Sequence, residues 1–340
     1  MRYDEIWEQG LRVMSEASVD VRWLNLGSET QSQNRINREY TDSIVFETNI
    51  LGSRPADTAT RIFGVEISSP ITPAPIIGSR VMDKVVSSGV WSKRTSYGHQ
   101  INYMEELAAG ARRANSLMWL GVDKRTETLG HMIEDGSKVV LMVKPLKEKA
   151  EIIKIFKWAE ESRCVAVGMD IDAMFYEKAF DELEGPLENG EQSIEDLKRY
   201  KQSVKLPFIL KGILSRRDAR IAKDEIGADA LVVSNHGGEA LDYSIPVLRA
   251  LPEVRKEVGG DIPLIVDSGF RRGTDALKAL ALGANLVCVG TLMVVALAAH
   301  GREGVQQMLE ILGGELKRAM TLTGCMSVSE ISDQIIRFRS

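Results

Sequence analysis

Residues 227–239 read Gly-Ala-Asp-Ala-Leu-Val-Val-Ser-Asn-His-Gly-Gly-Glu. An apolar run, Ala230 to Val233, ends in a polar turn rich in glycine, Ser234 to Gly238. A short run that is apolar throughout, rather than alternating, reads as a parallel strand covered on both faces. Working outward, seven more such runs end near Ile76, Gly121, Pro145, Asp172, Lys211, Asp267 and Gly290. Successive ends lie 23 to 45 residues apart, room enough for a helical crossover each time. Between them the period changes. Ile152, Ile155, Phe156 and Ala159 share one helical face, with Lys154, Lys157 and Glu160 opposite. Ser215, three residues before Asp218, marks a helix start, and Gly227 and Gly283 mark stops. Eight strand–helix units predict an α/β fold, a TIM (β/α)8 barrel. A doubly wound sheet is the rival, but no GxGxxG follows the first run.

The barrel is expected over residues 63–340, behind an N-terminal helical extension over 1–62 that holds the polar stretch Gly27 to Tyr40. Asp172 to Gln202, after the fourth strand, is polar and contains Gly185–Pro186, which suggests a flap over the barrel mouth. With 44% hydrophobic and 27% charged residues, disorder and coiled coil are excluded as descriptions of the whole chain. A net charge of −5 argues against nucleic acid or an anionic membrane as partner. Asp4, Glu5 and Glu8 interrupt any signal-peptide core, and the longest apolar run, Leu292 to Ala299, is too short to span a bilayer. Cys164, Cys288 and Cys325 sit in apolar runs and are odd in number. The expectation is a soluble, cytoplasmic protein without a disulfide framework.

Chemistry in such a barrel collects at the C-terminal strand ends. There the sequence places Lys211, the Ser234–Gly238 turn with His236, Asp267 followed by Gly269 and Arg271, and Gly290–Thr291. A single lysine or histidine after a strand is usually solvated or structural; their succession at neighbouring strand ends is what suggests a site. The last two turns suit a phosphate, because glycine admits close approach of backbone N–H groups and Arg271 adds a forked cation.

Lys211-Gly212-Ile213-Leu214, then residues 227–238, then Asp267 to Ala284 and Leu322 to Cys325 closely resemble the FMN-dependent α-hydroxy-acid dehydrogenase/oxidase family. The resemblance is strong over 205–330 and weaker over 60–175. It implies FMN as cofactor, no metal, a small 2-hydroxy acid such as lactate or glycolate as substrate, and a homo-oligomer, typically a tetramer. Carried over position by position, His236 is the base that takes the substrate proton, Lys211 stabilises negative charge on the flavin, and Asp172 pairs with the histidine. Asp170 is a second candidate for that pairing. Pro75, Ile76 and Ile77 would offer backbone groups to the flavin ring. Ser234 and Asp267 join the cofactor set, and Gly269, Arg271, Gly290 and Thr291 would hold the phosphate.

The chain departs from the family where substrate is held. The family follows this motif with an arginine that grips the substrate carboxylate, and Glu239 stands there instead. Ala173 to Asp196 contains no arginine. Trp23 and Lys144 fall near two tyrosine positions, and Thr291 replaces a phosphate arginine. Lys144 is the candidate replacement cation for substrate. These changes leave open an isomerase or reductase on the same barrel, a non-carboxylate substrate, or a non-catalytic flavin-binding protein.

Overall fold

The computed structural model describes residues 1–20, 27–76, 80–91, 102–121, 126–174 and 189–339. Eight strands form one parallel sheet: β4 (Ile71–Pro73), β5 (Met118–Gly121), β6 (Val139–Val143), β7 (Ala166–Asp170), β8 (Phe208–Ile213), β9 (Ala230–Val233), β10 (Leu264–Val266) and β11 (Leu286–Val289). Their spatial order is β4-β11-β10-β9-β8-β7-β6-β5. A parallel bridge between Ile76 and Leu120 joins the two ends, so the sheet is the expected (β/α)8 barrel.

The continuous apolar runs follow from covering both faces. Along β6, Val139, Leu141 and Val143 pack outward under the helices. Val140 and Met142 point into the barrel with Trp119, Ile209, Val232, Ile265 and Cys288. Among the described residues, the preceding strands lie outside this sheet. β1 (Ile44–Phe46) pairs antiparallel with β12 (Ile336–Phe338), tying residues near the two ends of the chain together. β2 (Thr60–Ile62) and β3 (Val65–Ile67) make a hairpin. Its Ile62 and Ile67 join the interior cluster, and Phe63 meets Trp119 edge-on at 6.5 Å, so the hairpin plugs the end of the barrel opposite the strand C-termini.

Local signals in the sequence behave as their chemistry requires. The Ser215 hydroxyl accepts the Asp218 N–H at 3.0 Å, and Gly227 ends the following helical stretch in a left-handed conformation. The apolar run Leu292–Ala299 opens a helix, Thr291–Thr323, that leaves helical geometry at His300 and Gly301. Every residue of that run is buried. No helix among the described residues is long and apolar enough to cross a membrane.

The expected flap, Asp172 to Gln202, falls in part on residues 175–188, outside the described residues, and its last part, Ile194–Gln202, is a helix, with Leu197 and Tyr200 buried against the barrel. Its start is a Ser193/Asp196 capping box. Burial alone raises the Asp196 carboxyl, but hydrogen bonds from Lys149 and Ser193 outweigh it and bring it down to about 2. The polar residues of this described part, Glu195 to Gln202, belong to the solvent face and cap of a barrel helix.

The extension also packs closely on the barrel. Helix α1 (Tyr3–Glu16) buries Ile6, Val13 and Met14 in the same core as the helix Thr291–Thr323. Helix α2 (Ser32–Ser43) meets the loop after β9 through Asn37 and Asn235. Asp242, distant in sequence, caps α2 by accepting the N–H groups of Thr30 at 2.8 Å and Gln33 at 2.8 Å.

Candidate active site

The strand C-termini deliver a charged cluster. Lys211 on β8 is 2% exposed, and its ammonium lies 3.3 Å from Asp170 and 3.5 Å from Asp267. Burial works against that ammonium, but Asp170, Asp267 and Asp172 together prevail and hold its pKa above the ordinary lysine value. Lys144, also buried, donates to Asp170 at 2.9 Å. The geometry separates the two aspartates left open by sequence. Asp172 lies 2.8 Å from His236 Nδ1, while Asp170 serves the two lysines.

His236 Nδ1 is also 3.2 Å from Lys211 Nζ. One nitrogen cannot donate to a carboxylate and accept from an ammonium at once. The shorter, charge-assisted contact with Asp172 decides it. Nδ1 carries the proton and donates to Asp172, which leaves the Nε2 lone pair as the basic position. The ring is aimed by an unusual backbone: His236 has φ of +53°, and its N–H donates to the Ser234 hydroxyl at 3.1 Å.

Gly212 makes the Asp172 contact possible. It lies at the irregular step in β8 between Lys211 and Ile213, with φ of +105°. A Cβ there would come within 2.8 Å of the Asp172 side chain. Gly212→Ala is therefore expected to drive Asp172 away from His236 and to destabilise the fold by about 1–3 kcal/mol. Turnover should fall at least tenfold at saturating substrate, with far-ultraviolet circular dichroism retained.

Beside this cluster lies a cavity of about 270 Å³, lined by Lys211, His236, Glu239, Asp267, Gly269, Arg271, Gly290 and Thr291, among others. Of the expected ring contacts, Pro75 lines it, whereas the Ile76 carbonyl is turned to Gly121 N–H at 3.4 Å. Ile77 and Trp23 lie outside the described residues. Ser234 is buried, and its hydroxyl accepts the His236 N–H. The Lys144 ammonium is held by Asp170 in the buried cluster, and neither residue is among those lining this cavity.

The phosphate expectation is refined. The N–H groups of Arg271 and Arg272 are taken by Asp275, and that of Gly273 by Glu315, so the helix Gly273–Ala281 does not offer them to an anion. The next helix, beginning at Thr291, has no side-chain cap. Gly290, Thr291 and Leu292 of that end line the cavity with Gly269 and Arg271. An uncapped helix start beside a guanidinium suits a phosphate, and a buried ammonium at the other end suits an electron-accepting ring. The donor set fits FMN.

The sequence reading missed Trp7 and Asn34, which line the cavity from the extension. It also missed a buried amide pair, in which Asn37 donates to Asn235 at 3.1 Å and accepts from it at 2.9 Å. The signal was present in Gln33 and Asn37, amides four apart on one helical face. Gly238, at φ of +91°, lets α2 approach: a Cβ there would meet Gln33 at 2.4 Å.

The family model described as FMN-dependent dehydrogenase matches residues 184–338. The peroxisomal (S)-2-hydroxyacid oxidase GLO3 of Arabidopsis thaliana is 31% identical, with 98% of this chain and 95% of that protein covered. The 2-hydroxyacid oxidase of Dictyostelium discoideum is 48% identical over 141 residues, which span 42% of this chain and 36% of that protein. A crystal structure of mandelate oxidase with 3,3-difluoro-2-hydroxy-3-phenylpropionic acid superposes with a TM-score of 0.84 at 27% identity, covering 99% of each chain. A mandelate oxidase variant has been solved with an FMN adduct (TM-score 0.77, 29% identity, covering 91% of this chain and 92% of that one). The chain belongs to the FMN-dependent 2-hydroxy-acid oxidase family, a family of oxidoreductases.

Proposed function

We propose that the protein oxidises a small 2-hydroxy acid to the 2-oxo acid, with His236 as the base. The observation that carries this reading is the convergence of Lys211, His236 and Asp172, of which Lys211 and His236 line the cavity. FMN, when bound, would accept the two electrons released at the carbon bearing the hydroxyl together with the second of the two protons, the first going to His236. The chain's own residues handle charge and protons. His236 Nε2 takes a proton from the substrate, and the Asp172 carboxylate stabilises the resulting imidazolium through Nδ1–H. That proton completes a balance, since two ammonium groups and one imidazolium then face three carboxylates. Lys211 presents fixed positive charge where the acceptor gains electrons, with no reorganisation at the moment of transfer. Gly269, Arg271, Gly290 and Thr291 would anchor the phosphate, and Pro75 would border the ring.

The proposal includes a small-molecule substrate, no nucleic-acid partner, and assembly into a homo-oligomer, tetrameric by family resemblance. Burial of all three free cysteines supports a reducing compartment such as the cytoplasm. The test is anaerobic mixing of flavin-loaded protein with a panel of 2-hydroxy acids. Loss of the yellow absorption with at least one of them is expected. No loss with any would overturn the assignment.

A further inference from the structure

Glu239 lies three residues beyond His236 and is among the residues that line the same cavity. Its backbone N–H donates to the His236 carbonyl at 3.3 Å, so the turn that carries the imidazole also fixes the backbone from which this side chain springs. Its environment differs from that of every other acid in the site. Asp170 has Lys144 and Lys211, Asp267 has Lys211, and Asp172 has His236. Asp242, on the same loop, is spent on the start of α2. Among the described residues none donates a hydrogen bond to the Glu239 carboxylate or pairs with it. The other lining cation, Arg271, is the one proposed above for the phosphate.

A carboxylate on a cavity wall without a protein counter-charge selects by sign. An anionic group brought against it is repelled, and a cationic group is attracted and gains charge-assisted hydrogen bonds as water leaves. We infer that Glu239 is a specificity determinant that selects 2-hydroxy acids whose side chain ends in a cation, an ammonium or a guanidinium, seated against its carboxylate. This rests on the proposed oxidation of 2-hydroxy acids and adds the substrate class. The substrate's own carboxylate is thereby turned away from the Glu239 wall.

The test compares three six-carbon 2-hydroxy acids with flavin-loaded protein under nitrogen: one with a terminal amino group, 2-hydroxyhexanoate, and 2-hydroxyadipate. The expected order of kcat/KM is ammonium, then methyl, then carboxylate, with the first at least about tenfold above the second at low salt. In Glu239→Gln that ratio should collapse toward one, and in Glu239→Arg the order should invert in favour of 2-hydroxyadipate. A second readout is independent of turnover. Calorimetry should show 6-aminohexanoate binding more tightly than hexanoate, with a difference that shrinks as salt is added and is lost in Glu239→Gln. Equal or better use of the uncharged acid, with a ratio unmoved by Glu239→Gln, would overturn the inference while leaving the oxidation standing. Absence of bleaching by all three acids and by the wider panel would overturn both.

Discussion

His236→Ala is expected to slow substrate-driven bleaching of the flavin by about 10²–10⁴-fold, the range a positioned base contributes. The protein should remain yellow, because the phosphate end of the cavity is built from Gly269, Arg271, Gly290 and Thr291, on other elements. The fold should survive, since the imidazole is partly exposed and anchors no core. Its ring nitrogen Nδ1 lies 2.8 Å from Asp172 and 3.2 Å from Lys211. Rapid mixing under nitrogen separates this step from any later reaction of the flavin. An unchanged bleaching rate in yellow protein would show that the proton goes elsewhere. His236→Asn is a useful companion, because asparagine also tolerates a positive φ. A loss shared by both variants belongs to the missing base and not to a strained turn.

Lys211→Met is expected to have the second large effect, and on stability as well as rate. The ammonium is sealed among Asp170, Asp267 and Asp172. Replacing it with an apolar chain of similar length leaves those carboxylates without their shared cation. Breaking one side of a buried ion cluster costs on the order of 3–5 kcal/mol, and the lost electrostatic stabilisation should slow flavin reduction by about 10²–10³-fold. Denaturant titration and the bleaching rate measure the two parts. Because folding raises the Lys211 pKa, its stabilisation is fully present below the unfolded lysine value of about 10.4 and is lost as pH rises through the higher folded value. The wild-type protein should therefore lose stability at strongly alkaline pH, and Lys211→Met should lack that part of the loss. A variant as stable as wild type would contradict the reading of this cluster as a mutually dependent set.

The barrel was legible because its strands are covered on both faces. Val139 to Val143 and Ala230 to Val233 are apolar at every position, and short runs at crossover spacing leave few alternatives. The residues proposed for catalysis were legible because Lys211 lies in such a run and Asp172 and His236 follow closely after one. What could not be read was direction. Nothing local told that Lys144 would be held by Asp170, or that Ser234 would support the histidine turn without lining the cavity. Those outcomes depend on which strand end faces which, and sequence spacing does not contain that. The share of the site built by the extension was hidden for a different reason. Asn37 meets Asn235, and Asp242 caps α2, across about 200 residues of chain. Such polar contacts are set by complementary hydrogen bonds, which leave no hydrophobic period to detect. The Asp172 pairing succeeded by motif position, and its physical reason, the missing Cβ at Gly212, emerged only with coordinates.

The most direct test is a crystal structure of the flavin-loaded protein. The account predicts the ring in the cavity with Lys211 Nζ and His236 Nε2 both facing it, and the phosphate at Gly269, Arg271 and the Thr291 helix start. A ring bound elsewhere, or a cavity filled by side chains while Lys211 and His236 face apart, would contradict it.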